Sequence, residues 1–280
     1  MTPENKTVTW GSRFFQRLTK NWLRVIIIVL ALYVGLPFAA PTLMRLGLEG
    51  PAHLIYTVYA PLCHQLAFRS LFLFGAQPVY PLAAAGVESL GTFEAYAAQD
   101  PAYLAVYTPY YEQAAANEAV VDPERTAHLS AARYYEGNPQ MGYKVALCER
   151  DIAIYGALLI GALLFSRVRG RLRPVPFWLY FLLGIAPIGL DGFSQLFSDP
   201  QIGLWPLRES IPAFRLLTGA LFGLMNVWLA FPYVEMTMRE AEREMDRKAA
   251  QQAGVETARA RARERLQAWS EDVDAPRSDG

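Results

Sequence analysis

Polarity along this chain changes in long blocks rather than residue by residue. An apolar run without a charged residue covers 25–44, and three further apolar blocks cover 152–166, 177–190 and 213–233. The first has the roughly 20 residues needed to cross ~30 Å of hydrocarbon. Ala39 and Ala40 resemble a signal-peptide cleavage site, but such a peptide has an apolar core of only about 7 to 15 residues. The run is therefore read as a retained transmembrane helix. The other blocks, two of them short, are read as membrane-embedded too.

Charge then orients the helices. Lys6, Arg13, Arg17, Lys20 and Arg24 precede the first one, and "RVRGRLRP", with Arg167, Arg169, Arg171 and Arg173, separates the second from the third. Cytoplasmic loops carry the excess of Lys and Arg, so both segments are assigned to the cytoplasm. The chain must then cross an even number of times before Arg167, and the helices at 25–44 and 152–166 already supply two crossings. The run "HLIYTVYAPLCHQLAFRSLFLFG", 53–75, therefore crosses zero times or twice. Pro61 in its middle and His53, His64 and Arg69 along it favour an interfacial or re-entrant segment, buried in protein or lining a wet cavity.

Residues 76–147 fall outside the cytoplasm. Pro101, Pro109, Pro123 and Pro139 divide this Tyr-rich, Ala-rich and acidic stretch, whose carboxylates include Glu118, into short pieces, and a small helical cap is expected. Tyr107, Tyr110 and Tyr111 are read as interfacial anchors rather than a carbohydrate patch. From 236 the sequence mixes charges at helical spacing with too few apolar positions for a heptad seam, which predicts a solvated cytoplasmic helix. The expected fold is an all-α, multi-pass bundle of about four spanning helices. It comprises a basic arm at 1–24, a membrane domain at 25–235 with an extracytoplasmic insert at 76–147, and a charged tail at 236–280. Both termini lie in the cytoplasm of a prokaryotic cell.

Composition removes several classes of function. A formal net charge of zero gives no basic field for nucleic acid, and the expected partner is the lipid bilayer. Two cysteines cannot make a disulfide framework, and no CxxC, HExxH, P-loop, GxGxxG or GxSxG spacing occurs. The chemistry is confined to a few places that this topology brings to the outer face. These are Cys63 and His64 in the interfacial run, Cys148 and Asp151 at the mouth of the second helix, Asp191 at the end of the third, and Arg215 at the start of the last. Cys148, Asp151 and Tyr155 share one helix face. Ionisable groups in a hydrophobic belt pair or serve a function, and Asp191 with Arg215 is the expected pair. Gln195 is expected to bond across helices, Arg69 to snorkel or to meet an anionic head group, and His53 and His128 to be surface residues without partners. Gly219 and Gly223 form a GxxxG read as close helix packing.

In this order, CHQ, RS, CxR before an IYG helix, DGxSQ and RxxTGxxxG, the chain is similar to a family of uncharacterised prokaryotic membrane proteins, domain of unknown function 2085. The likeness runs from about Cys63 to Gly223, excluding the Tyr-rich insert. The family's CxRC element implies a second cysteine where Asp151 stands here. The resemblance thus implies a Cys63, His64, Cys148, Asp151 donor set that zinc or iron could accept. Three readings stay open for the thiols: a metal site, a Cys63–Cys148 disulfide, and two unconnected groups. Three functions stay open as well: a membrane enzyme acting on an exported or lipid-linked substrate, a small-solute transporter using Asp191, Gln195 and Arg215, and a structural membrane module stapled by a Cys63–Cys148 disulfide.

Overall fold

The computed structural model describes residues 10–274 except Glu118, Val121, Pro200 and Gln201. Lys6 of the basic arm, Glu118 of the insert and residues 275–280 of the tail fall outside the described residues. Four helical stretches among the described residues are long and apolar enough to span a bilayer: Phe14–Arg45, Glu149–Val168, Phe177–Phe197 and Pro212–Trp269. The architecture is that of an all-α, multi-pass membrane protein with one small sheet. Much of the spanning surface is apolar and exposed, as at Ile28, Leu32, Ile160 and Leu190, which suits a surface solvated by lipid.

The long α1 (Trp10–Arg45) is followed by α2 (Glu49–Tyr59), whose 11 residues rise only about 16 Å. That is too short to cross. Beyond it the chain turns at Pro61, makes one 3₁₀ turn at Ala67–Arg69 and enters β1 (Ser70–Leu73). Residues 53–75 therefore contain no spanning helix.

The insert is not wholly helical. It holds α3 (Phe93–Ala97), α4 (Pro101–Ala115) and α5 (Pro123–Tyr134), then β2 (Gly137–Asn138) and β3 (Gly142–Cys148). The strands form an antiparallel sheet in the order β1-β3-β2, with Ser70 opposite Cys148 and Phe72 opposite Lys144 across a bulge. Two of the expected breaks are helix starts. Pro101 and Pro123 occupy first-turn positions, and the preceding Asp100 and Asp122 accept the amide hydrogens of Ala102 and Arg125, each at 2.9 Å. Gly142 has φ of +81°, and a Cβ there would lie 2.2 Å from the Leu73 carbonyl oxygen, so the sheet closes only on glycine.

The tyrosines largely make the core of this cap. Tyr80, Tyr103 and Tyr135 are buried with Phe68, Phe72, Phe93 and Met141. Tyr107 stacks on Tyr103 and on Tyr111, and Tyr110 on Tyr134. His128, expected on the surface, stacks on Phe68 and meets the Tyr103 hydroxyl at 2.8 Å; burial lowers its pKa. His53 also has a partner, Glu136, at 2.9 Å. A second buried cluster, with Ala40, Tyr56, Tyr59, Cys63, Ala146 and Leu147, ties α1 and α2 to β3.

β3 runs directly into α6 (Glu149–Val168). The next spanning stretch begins as α7 (Phe177–Tyr180), widens into a π turn at Phe181–Ile185, and continues as α8 (Ala186–Phe197). The wide turn bonds the Ala186 amide hydrogen to the Phe181 carbonyl, and Pro187, which has no amide hydrogen to give, follows it. Finally α9 (Pro212–Asp274) extends unbroken through the charged tail. Gly219 and Gly223 on α9 meet the backbone of α6: a Cβ on Gly223 would stand 2.3 Å from the Ile154 carbonyl oxygen.

The described residues divide into two compact units, residues 23–232, which hold both cysteines and the ionisable groups around them, and residues 10–22 with 233–274. Within the second unit the Trp22 indole donates to buried Glu235 at 3.0 Å, and Arg239 pairs with the same carboxylate at 2.6 Å.

Candidate functional site

The Cys63 loop is held from behind. Gln65, with φ of +53°, turns its amide hydrogen back to Cys63 Sγ at 3.5 Å and its side-chain Nε2 to the Tyr56 carbonyl at 2.9 Å. Its own carbonyl accepts from Lys144 Nζ at 2.8 Å. Lys144, on β3, is completely buried and also donates to the Arg133 carbonyl at 2.5 Å, so one ammonium ties the loop to the end of α5. Burial pushes its pKa down to about 7, against the pull of the Glu136 and Cys63 charges.

Cys148 stands where β3 becomes α6, at the position before the first helical residue, yet its side chain caps nothing. Its amide hydrogen instead donates to Cys63 Sγ at 3.3 Å. With Asp151 one turn along α6, the two sulfurs and a carboxylate oxygen lie within 4.8 Å of one another. The hydrogen bond between the thiols lowers the pKa of Cys63, with burial and Asp151 opposing, and the same bond raises that of Cys148. Cys63 is thus the more acidic thiol of the two, and two backbone amides point at it. Zinc sits about 2.0–2.3 Å from such donors, so small side-chain rotations would bring all three onto one ion. His64 is exposed on the rim of the adjoining pocket and stands outside this trio.

Asp191 and Arg215, the expected pair, have different partners. The fully buried Asp191 carboxylate is held by Arg150, by Arg208 at 3.2 Å and by Gln195 of its own helix at 3.1 Å. Arg215, 2% exposed, bonds to Glu209 and reaches Glu149 at 3.4 Å. Glu209 also takes both arms of Arg69, at 2.7 and 2.8 Å, in the two-point geometry that suits a guanidinium. The swap has a physical cause: the loop between α8 and α9 folds back and delivers Arg208 to Asp191 and Glu209 to Arg215. Sequence reading overlooked Glu149, Arg150, Arg208, Glu209 and Lys144. For Glu149 and Arg150 a signal existed, since they stand between Cys148 and Asp151 at the mouth of an apolar helix.

These groups surround a pocket of about 320 Å³ lined by both cysteines, Asp151, His64, Gln195, Arg69, Arg150 and Arg215, with Leu62 and Leu66. Of the predicted residues Cys63, His64, Cys148, Asp151, Gln195, Arg69 and Arg215 thus share one wall, while Asp191 sits behind it.

Comparison with known proteins bears on the same region. Residues 140–229 match a family described as predicted membrane protein, domain of unknown function 2085. An uncharacterized protein of Methanocaldococcus jannaschii is 30% identical over 102 residues, which is 35% of this chain and 60% of the relative. The match thus spans about 60% of that relative's length. No solved structure matches. The matched stretch contains Cys148, Asp151, Asp191 and Arg215, and over it the chain is similar to the uncharacterised membrane-protein family, domain of unknown function 2085, that its motifs resemble.

Proposed function

We propose that this membrane protein holds a transition metal, zinc or iron, on Cys63, Cys148 and Asp151, and that the centre serves an enzyme acting on an exported or lipid-linked substrate at the outer face. The observation that carries the reading is the meeting, beside an open pocket, of a thiol from the Cys63 loop with a thiol and a carboxylate from the start of α6, 85 residues away. Thiolate with carboxylate suits a borderline ion, and an ion there would act as a Lewis acid on a group entering the pocket. His64 on the rim is near enough in sequence to Cys63 to supply a fourth donor. Lys144 and Gln65 fix the Cys63 loop, and Asp191 fixes Arg150 on the pocket wall.

The test is mass spectrometry of detergent-purified protein alkylated without reductant, with and without a strong chelator, beside a metal assay. Expected are about one metal per chain, thiols that become alkylated only after chelation, and loss of the metal in Cys63→Ser and Cys148→Ser. Refusal of alkylation in both samples, relieved by a reductant, would identify a disulfide and sink the metal reading in favour of a stapled structural module.

A further inference from the structure

The charges on the pocket wall are arranged unequally. Arg69, Arg150 and Arg215 line the cavity, whereas the carboxylates that neutralise them, Glu209, Asp191 and Glu149, do not. Asp151 is the sole carboxylate on the wall among the described residues. The Nε atoms of Arg215 and Arg150 are buried without a hydrogen-bond partner, and a buried donor left unpaired is costly unless something completes it. The amino end of the 20-residue α6 opens beside the same cavity, with no side chain capping it. Guanidinium groups and helix amino ends both favour oxyanions. The volume of about 320 Å³ would hold roughly ten waters, more than one phosphate group displaces. Leu62 and Leu66 give the remainder an apolar side.

We propose that this pocket binds the phosphate group of a phosphate ester, held by Arg69, Arg150 and Arg215, with the organic part of the ester against Leu62 and Leu66. The inference rests on the reading of this pocket as the working site and names its substrate class. It concerns binding alone.

The thiols in the wall report on the field around them. Chelator-treated, reduced protein in an uncharged detergent is alkylated with iodoacetate and, separately, with iodoacetamide, and modification of Cys63 is followed by mass spectrometry. The anionic reagent is expected to be favoured over the neutral one by about tenfold relative to the same ratio for glutathione. Inorganic phosphate is expected to suppress both reactions where chloride of equal ionic strength does not, and Arg150→Gln to lower the preference at least about threefold. A glutathione-like ratio, or equal suppression by chloride, overturns the proposal. Should Cys63 resist both reagents, the thermal unfolding midpoint decides: a rise with inorganic phosphate over matched chloride supports the proposal, and no rise overturns it. Nanodiscs separate the sources of the phosphate. Protection in phosphatidylglycerol-containing discs but not in phosphatidylcholine discs, without added phosphate, identifies a lipid head group; protection by added phosphate alone identifies a soluble ester. All arms use metal-free protein, so failure of the metal reading and failure of this one are seen separately.

Discussion

Lys144 shows how much a single residue can organise without announcing itself. In the sequence it is one lysine in an apolar run, "GYKVALC", and nothing in its spacing marks it. In the fold it is fully buried, and its ammonium joins the Gln65 carbonyl, and so the Cys63 loop, to the end of α5. Its pKa of about 7 in the folded chain lies below the ordinary lysine value of about 10.4. Between those values the unfolded chain binds a proton that the folded chain does not, so stability rises with pH from about 7 to about 10.4. Below about 7 both states are protonated and the penalty is constant. Lys144→Met strands the Gln65 and Arg133 carbonyls and should cost ~1–3 kcal/mol at pH 9. The loss should be smaller at pH 6, where the wild type bears the buried charge, and the rise with pH should flatten. Denaturant unfolding in detergent at several pH values measures both. The residues of the candidate site divide in the same way. Cys63, Cys148 and Asp151 were legible because thiols are rare here and the helix period sets Asp151 one turn from Cys148. Glu209 and Arg208 were not, because a loop's path leaves no periodic trace.

At the scale of elements, the apolar blocks located the spanning helices but not the sheet. β3 is buried along nearly its whole length, so it lacks the alternation that marks a half-exposed strand, and β2 has only two residues. The GxxxG was readable as packing and meets the α6 backbone: Gly223 faces the Ile154 carbonyl and the Ala157 side chain. Gly223→Ala should force the two helices apart and cost ~1–3 kcal/mol. Gly189→Ala, on a helical surface where a Cβ meets nothing within 4 Å, should cost less than about 0.5 kcal/mol. Equal losses in the two variants, measured by unfolding in detergent, would remove the close approach as the explanation. Because α6 carries Cys148 and Asp151 at its start, separation at Gly223 should also loosen the thiol pair.

For the whole molecule, we propose from the dense arginines around the α6–α7 turn and the basic residues of α1 an orientation with the insert exported. Alkaline phosphatase inserted after Gly86 should be active in cells, and a green fluorescent reporter after Asp274 should fluoresce. An inactive phosphatase with a dark tail reporter, both fusions being expressed, would reverse the topology and move the thiols into a reducing compartment. The number of spanning helices was legible from the number of apolar blocks, although two of these, 152–166 and 177–190, are shorter than the helices that contain them. That 53–75 contains no crossing was narrowed by parity but decided by helix length, since a proline and three ionisable side chains show where an apolar run is broken without showing what replaces it.

The wide turn at Phe181–Ile185 has an effect at a distance. One additional residue per turn rotates everything after it by about 100° relative to everything before. Downstream of it Asp191 is buried and its neighbour Leu190 is 72% exposed. Wound at regular pitch, the same letters would carry Leu190 to the azimuth that Asp191 occupies, and the carboxylate would turn to the half-buried azimuth of Gly192. The third membrane helix is in this sense written in two reading frames, and the frame shift at its middle is what addresses Asp191 to Arg150.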